Sequence, residues 1–241
     1  MRPGDKGVAF ATTRPAEYEQ PAFPQEKWGE VQQAHAKKIR DRTAQQQKSR
    51  CGEDSFAVLA LGDNAVGKTT LIMTWCGGTV PTFTPDGIDN QDKHVMVDEW
   101  PTRLKLDDFF GDRSAIGRDT YPNYDCFLLC FSVASRASFE SIKWRWHHEV
   151  QLLCPTAPCV LVGCKRDLRQ AEPPPQAGAV VSADEARQLC RELCVAGYVE
   201  CSALTDVGTA ALDEVFLTAA RAARARYESR RTKNRKRCVV M

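Results

Sequence analysis

The sequence predicts an α/β fold in which an open, mostly parallel six-stranded sheet carries one antiparallel edge strand and has helices on both faces. Three observations predict it. Short apolar runs of strand length alternate with helical segments. A glycine-rich loop joins the first strand to the first helix, and the second and third strands are separated by too few residues to hold a helix. Strands joined so closely pair as an antiparallel hairpin.

The strands are expected where apolar runs are bounded by turn residues, as in strands that are buried on both faces. The first run ends at Gly62, and the hairpin turns within residues 98–102. The predicted strands are residues 56–61, 95–97, 104–106, 126–133, 159–163 and 198–201.

Four helices are predicted from apolar periodicity and from helix start signals. Ser182 and Glu185 stand at the spacing of a capping box, in which each side chain bonds the backbone N–H of the other residue. Leu189 and Leu193 then form the buried stripe of that helix. The predicted helices are residues 68–75, 138–153, 182–195 and 211–228.

Composition divides the chain into three regions. Residues 1–50 are rich in Pro, Gln, Ala and charge, and we expect them to be a disordered N-terminal extension. Residues 51–228 are the folded domain. Residues 229–241 are a tail with six Lys or Arg and no acidic residue, so the net charge of +2 hides an acidic body with basic ends.

Apolar runs and cysteines exclude several classes of protein. The longest runs are far shorter than the roughly 18 to 20 residues of a membrane-spanning helix, and the first thirty residues hold no apolar segment that would serve as a secretory signal. The eleven cysteines have no paired spacing, which favours free thiols in a reducing compartment. Cys190 and Cys194 lie four residues apart, but no further ligands at metal-binding spacing stand near them.

The strongest signal is the phosphate-binding pattern G-x-x-x-x-G-K-[ST], directly after a strand and directly before a helix. Its glycines let several backbone N–H groups face one anion, Lys68 reaches the outer phosphates, and the Thr69 hydroxyl ligates Mg²⁺. A purely structural glycine turn is disfavoured because glycine, lysine, hydroxyl and context agree. The residues expected around the phosphates are Gly62, Asp63, Asn64, Ala65, Val66, Gly67, Lys68, Thr69 and Thr70.

A base-binding motif follows a later strand. Asp167 can accept the ring N–H and amino hydrogens of guanine together, a pattern that adenine cannot complete, so GTP and GDP are favoured over ATP. Lys165 would lay its stem over the base, and the Ala203 N–H would meet the guanine carbonyl. The residues expected around the base are Cys164, Lys165, Asp167, Ser202, Ala203 and Leu204.

With these motifs in place, residues 56–221 resemble the small GTPases of the Ras superfamily, and within it the Rho family. The resemblance implies a P-loop small G domain that binds GTP or GDP with Mg²⁺. It also implies effector proteins at the switch loops, exchange factors, activating proteins and a role in actin organisation and cell shape. The Pro-rich residues 170–181 replace the longer Rho insert. The segments that resemble Rho are residues 95–98, 120–122, 129–131, 137–140, 144–150, 162–165, 167–169 and 200–204.

The switch residues depart from the family pattern. The resemblance places Asp108 near Mg²⁺ and Gly111 near the terminal phosphate, but Asp112 stands where a Gln orients the attacking water. An ionised carboxylate donates no hydrogen bond and adds charge to an already anionic reaction, so hydrolysis should be slow. Asn64 replaces a Gly beside the same water. Asp86 replaces a metal-binding Thr, and it either ligates Mg²⁺ itself or repels the terminal phosphate and leaves the loop open. Thr84 is the substitute ligand if the loop shifts register.

Three functional alternatives remain open at this point. The chain is a GTP-loaded switch with weak hydrolysis, an ordinary cycling GTPase that tolerates Asn64 and Asp112, or a nucleotide-free pseudo-GTPase that uses the fold as an interaction module. In the last alternative, the altered switch residues are substitutions that accumulated in loops no longer needed for nucleotide hydrolysis.

The chain ends Cys238-Val-Val-Met, which matches C-a-a-X with a final residue that favours farnesylation of Cys238. A single prenyl chain binds membrane reversibly, and the adjacent basic run supplies a second attraction to anionic lipids. A nuclear-import or nucleic-acid tail is the alternative, but no aromatic platform accompanies the run. We therefore expect a lipid-anchored protein on the cytoplasmic face of the plasma membrane or endomembranes, with no nucleic-acid partner.

Overall fold

The computed structural model describes residues 54–83, 91–108, 118–171 and 178–238. They form one six-stranded sheet with the spatial order β2-β3-β1-β4-β5-β6. Neighbouring strands pair in parallel, except for β2 and β3, which pair antiparallel at one edge. The strands are Asp54–Leu61 (β1), Gln91–Val97 (β2), Trp100–Asp108 (β3), Cys126–Ser132 (β4), Cys159–Cys164 (β5) and Gly197–Glu200 (β6). The predicted α/β architecture is confirmed.

Helices cover both faces of the sheet. The α-helices are Lys68–Gly77 (α1), Arg136–Ser141 (α2), His148–Leu153 (α3), Ala183–Glu192 (α4) and Ala210–Cys238 (α5). A π-helical segment, Ile142–His147, joins α2 to α3, and 3₁₀ turns occur at Arg118–Asn123 and Arg166–Gln170. None of the helices in these ranges has the length and apolar composition needed to cross a bilayer.

Two apolar cores lie on opposite faces of the sheet. Strand β1 serves both, because alternate side chains such as Val58 and Leu59 point to opposite faces. The face of Val58 is covered by α1 and α5, where the Trp75 and Phe216 rings stack with centroids 4.0 Å apart. The face of Leu59 is covered by α2 to α4 and by the first 3₁₀ turn. Burial on both faces explains why the central strands read as continuous apolar runs.

The edge hairpin is longer than predicted. Strand β2 begins at Gln91, four residues before the apolar run, and its first four residues, which alternate between half-buried and exposed positions, are all polar. The hairpin turn contains only Asp98 and Glu99, with φ of 48° and 71°. Two left-handed residues are the geometry of a type I′ turn, which matches the twist of the strands it joins.

The helix ends also differ from the prediction. The predicted helix at 138–153 begins earlier, at Arg136, where the Ser135 hydroxyl accepts the Ser138 N–H at 3.3 Å, and it contains the π segment. The capping box of Ser182 and Glu185 is present. The last helix does not end near residue 228 but continues to Cys238, because residues 229–238 contain no Gly or Pro and are rich in helix-forming Arg and Lys.

Candidate functional site

The phosphate loop leaves the carboxyl end of β1 in a backbone conformation that requires glycine. Gly62 has φ 152°, and a Cβ there would lie 2.2 Å from the Cys130 carbonyl oxygen. Gly67, directly before α1, has φ 111°, and Ala65 is left-handed with φ 59°. Alternating backbone conformations of this kind, ending at a helix N-terminus, form an anion-binding concavity.

Lys68 holds this loop together from within. Its side chain is 5% exposed, and its Nζ donates to the Gly62 and Asp63 carbonyl oxygens, each at 3.0 Å. An ammonium group has three N–H donors. The third is therefore available to an anion in the loop, where the buried positive charge requires a partner.

The two described candidate Mg²⁺ ligands meet beside the loop. The Thr69 hydroxyl donates to Asp108 Oδ2, and Asp108 is buried at the carboxyl end of β3. The pairing of Ala60 with Asp108 places the ends of β1 and β3 side by side. A hydroxyl and a carboxylate are hard oxygen ligands of the type that Mg²⁺ takes alongside phosphate oxygens. Thr69 and Asp108 therefore fit this ion.

Three predicted switch residues, Asp86, Gly111 and Asp112, lie outside the described residues, as does Thr84. Asn64 is described. It is exposed at the tip of the phosphate loop, and its φ is not among the positive ones. Its side chain therefore adds bulk next to the phosphate site without straining the backbone.

The predicted base-binding residues lie beside the phosphate loop. Lys165 has a left-handed backbone, with φ 60°, and its Nζ donates to the Ala65 carbonyl oxygen at 2.7 Å. Asp167 follows in a 3₁₀ turn, and its Oδ1 is buried without a hydrogen-bond partner among the described residues. A buried carboxylate oxygen without a donor is costly. The N–H groups of guanine would supply that donor.

The loop after β6 completes this side of the site. The Ser202 hydroxyl accepts the N–H groups of Leu204 and Thr205, each at 3.2 Å, and the Ser202 N–H donates to Asp206 Oδ2 at 2.8 Å. These bonds set the turn in which Ala203 lies. Within the phosphate loop itself, Val66 is buried, and Thr70 lies in the first turn of α1.

Several supporting residues were missed by sequence reasoning. The Trp146 Nε1–H donates to Asp63 Oδ1 at 2.9 Å, and Arg166 Nη2 donates to Asp206 Oδ1 at 2.6 Å. The partners in these pairs lie 83 and 40 residues apart, so no local sequence pattern predicts these hydrogen bonds. The Trp146 contact ties the phosphate loop to the π segment, and the Arg166 contact ties the two base-side loops together.

Cysteine thiols form the floor of the site. Cys164, one of the predicted base-side residues, is 3% exposed and in hydrogen-bond contact with the Cys130 and Cys201 thiols. Hydrogen bonding to Cys164, together with burial, raises the pKa of both Cys130 and Cys201. These two are therefore neutral thiols at physiological pH, and they act as small buried side chains.

The described loops after β1, β5 and β6, together with Asp108 at the carboxyl end of β3, thus lie at one edge of the sheet, where open α/β sheets bind their ligands. With a phosphate-binding loop on one side and a buried Asp167 oxygen that fits guanine on the other, this edge of the sheet defines a small guanine-nucleotide-binding domain. Comparison with known protein families agrees, since residues 57–225 match the Ras family. The chain belongs to this family and is a small GTP-binding signalling protein.

Proposed function

We propose that this chain is a Rho-like switch that binds GTP with Mg²⁺ and hydrolyses it slowly, so that it remains loaded and available to effector proteins. One contrast carries the proposal. The groups expected to hold nucleotide, namely Lys68, Thr69 with Asp108, and Asp167, support binding through their contacts and burial. By resemblance, Asn64 and Asp112 stand at the two positions next to the attacking water, and their side chains oppose hydrolysis.

The same contrast favours this function over the two alternatives. A nucleotide-free interaction module has no need for a buried lysine inside a glycine-rich loop or for a buried carboxylate oxygen without a donor. An ordinary cycling GTPase needs an amide or another donor to orient water, and the Asp112 carboxylate cannot donate while ionised.

The nucleotide that the protein carries tests this proposal. The full chain is purified rapidly from cells in the presence of Mg²⁺ and denatured, and the released nucleotide is identified by chromatography. We expect close to one GTP per chain. Bound GDP would contradict slow hydrolysis, and an empty site in a folded protein would contradict nucleotide binding itself. The Lys68→Ala variant, treated in the same way, controls for nucleotide that is carried over nonspecifically.

The proposal extends to a membrane anchor. The terminal C-a-a-X motif supports farnesylation of Cys238, and the six basic residues at 230–237 support attraction to the anionic cytoplasmic face of a membrane. Replacing Cys238 by Ser should shift the protein from membrane to soluble fractions of a cell lysate. The matched control is Cys76→Ser, which changes a half-buried thiol outside both the motif and the basic run. Equal membrane retention of the Cys238→Ser variant would refute the anchor.

A role in actin organisation is proposed from the Rho-like segments alone. Expression of the full chain in cells should change the pattern of filamentous actin, whereas the Lys68→Ala variant, which loses a phosphate ligand, should not. Identical actin patterns for the two proteins would separate this chain from the Rho pathway while leaving its nucleotide binding in place.

A further inference from the structure

A second pocket lies at the opposite end of the sheet from the nucleotide site. It has a volume of about 750 Å³ and opens between the loop before β5, the end of α4 and the side of α5. Small apolar side chains, including Ala157, Val195 and Ala222, form part of its wall. Its volume is in the range of pockets that bind small organic ligands, roughly 300 to 1,000 Å³.

The charge of this pocket is one-sided. Arg226 and Arg230, one turn apart on α5, both donate through Nη2 to the same Thr156 hydroxyl oxygen, at 3.3 and 3.2 Å. Among the described residues, those that line the pocket include no Asp or Glu. Two guanidinium groups that converge on one uncharged oxygen repel each other, and an anion placed between them would relieve that repulsion.

Arg226 is also held in place from behind. Its Nη1 donates to the backbone carbonyls of Tyr124 and Asp125, at 3.0 and 3.2 Å. The Asp125 carboxylate interacts electrostatically with both arginines, but it does not line the pocket, and its Oδ2 accepts the Ala57 N–H at 2.9 Å. The pocket therefore presents a fixed cation, Arg226, next to an exposed and adjustable one, Arg230.

We propose that this pocket binds the phosphomonoester headgroup of an anionic phospholipid. A phosphomonoester offers several oxygens to two guanidinium groups, which is the geometry that arginine pairs favour. A lipid is the source we infer because α5 runs on from Arg230 to Cys238, a distance of about 12 Å at the rise of an α-helix. The inference rests on the proposed membrane association, and it gives the domain a defined face toward the bilayer.

Vesicle binding by the full, unprenylated chain tests the pocket independently of the anchor. Phosphatidylcholine vesicles contain either a phosphatidylinositol monophosphate or phosphatidylserine, matched in net charge. We expect the chain to bind the phosphomonoester vesicles about tenfold more tightly, as one charged hydrogen bond would give. Equal binding to both vesicles would overturn the proposal, because a basic helix that senses charge alone does not distinguish them.

Two neighbouring arginines provide matched variants. Arg230→Gln removes a pocket cation and should reduce the tenfold preference to about one. Arg231→Gln makes the same charge change on an exposed side chain that does not line the pocket, and it should weaken binding to both vesicles while keeping the preference. A preference that survives Arg230→Gln would refute the pocket. A competition experiment adds inorganic phosphate at low millimolar concentration to the phosphomonoester vesicles. If it abolishes vesicle binding, the pocket is a site for free phosphate and the lipid proposal is refuted.

Failure of the membrane anchor would look different. If Cys238 is not modified in cells, the vesicle preference of the unprenylated chain is unaffected. If the pocket does not bind lipid, release of the Cys238→Ser variant from membranes is unaffected. The two proposals therefore stand or fall on separate measurements.

Discussion

At the scale of single residues, we expect the Asp167 carboxylate to govern the choice of base. Asp167 Oδ1 is buried without a donor among the described residues. This arrangement is unfavourable in the empty site and becomes favourable when a base supplies an N–H group. Guanine offers a ring N–H and an amino group on adjacent positions, so the carboxylate accepts from both.

Replacing Asp167 by Asn should therefore change the base preference and not simply abolish binding. The Asn amide accepts from a ring N–H through its oxygen and donates through its nitrogen, which suits xanthine, where a carbonyl replaces the amino group of guanine. We expect GDP affinity to fall at least about 100-fold, with XDP becoming the tighter ligand. Competition of each nucleotide against a fluorescent analogue measures this. An unchanged preference for GDP would remove Asp167 from the site.

Two other residues are expected to limit hydrolysis. Replacing Asn64 by Gly removes bulk beside the attacking water, and replacing Asp112 by Gln restores an amide that can orient it. The double variant should release phosphate at least about tenfold faster in a single turnover. Asn64→Gly combined with Asp112→Glu is the control, because it clears the space but keeps the carboxylate. Equal rates for the double variant and the natural chain would show that other residues limit the reaction.

The sequence predicts site residues only where they belong to a contiguous motif. Lys68 and Thr69 are recognised because the loop and the start of α1 fix their neighbours within a few residues. Trp146 is not recognised, because its bond to Asp63 depends on how two distant segments pack. The pocket arginines are missed for the same reason, since Thr156 lies 70 and 74 residues from Arg226 and Arg230.

At the scale of elements, the start of α4 is tied to α2 by a shared carboxylate. Glu185 closes the capping box with Ser182 and also accepts from Arg136, at 2.6 Å for its Oε1 and 3.3 Å for its Oε2. The Arg136 guanidinium and the Ser182 backbone N–H and hydroxyl lower the pKa of Glu185 to about 2. One side chain therefore caps a helix and joins two helices.

This tie predicts a pH-dependent contribution to stability. A carboxyl group whose pKa is lowered in the folded state stabilises that state above its unfolded pKa of about 4.5, and the contribution is lost as pH falls toward 2. Glu185→Gln should lower the free energy of unfolding by about 1 kcal/mol at pH 7, after allowance for solvent screening at a side chain that is 44% exposed. The difference should shrink below pH 4. Urea unfolding at several pH values measures it.

The matched control for Glu185 is Glu192→Gln. Glu192 pairs with Lys143 at the other end of α4, but it caps no helix and its side chain is 50% exposed. Its loss should change the stability by a few tenths of a kcal/mol at most. Equal losses for the two variants would mean that surface charge, and not the capping box, is responsible.

Strands are predicted well where both of their faces are buried, because they then read as continuous apolar runs. The runs that became β1, β4 and β5 are apolar because both faces are covered, and their positions were predicted within two residues. The edge strand β2 alternates between exposed and half-buried side chains, so only its last residues were recognised. The π segment was not predicted, since its extra residue per turn depends on packing against β4.

At the scale of the whole molecule, α5 connects the two ends of the sheet. Arg224 donates to the Val97 carbonyl at 2.9 Å and to the Thr102 hydroxyl at 2.8 Å, which fixes the helix against the edge hairpin. The helix then forms one side of the second pocket, through Arg226 and Arg230, and continues into the basic run. The nucleotide-binding loops lie at the carboxyl ends of the strands and the proposed lipid pocket at the amino ends, so under these proposals an effector and a bilayer would contact opposite ends of the sheet.

Because the expected nucleotide contacts come from segments that follow several different strands, binding should stabilise the molecule as a whole. A ligand at 100 times its dissociation constant adds about 2.7 kcal/mol to the free energy of unfolding, and a domain of this size gains roughly 2 to 4 °C per kcal/mol. We therefore expect GTP with Mg²⁺ to raise the unfolding temperature of the nucleotide-free chain by about 5 to 10 °C in a thermal melt. EDTA should remove most of the gain, because Asp108 without its cation repels the phosphates. ATP with Mg²⁺ should leave the unfolding temperature nearly unchanged, since Asp167 does not pair with adenine. Equal shifts with ATP and GTP would contradict the assignment of the base site, and no shift with either would contradict nucleotide binding.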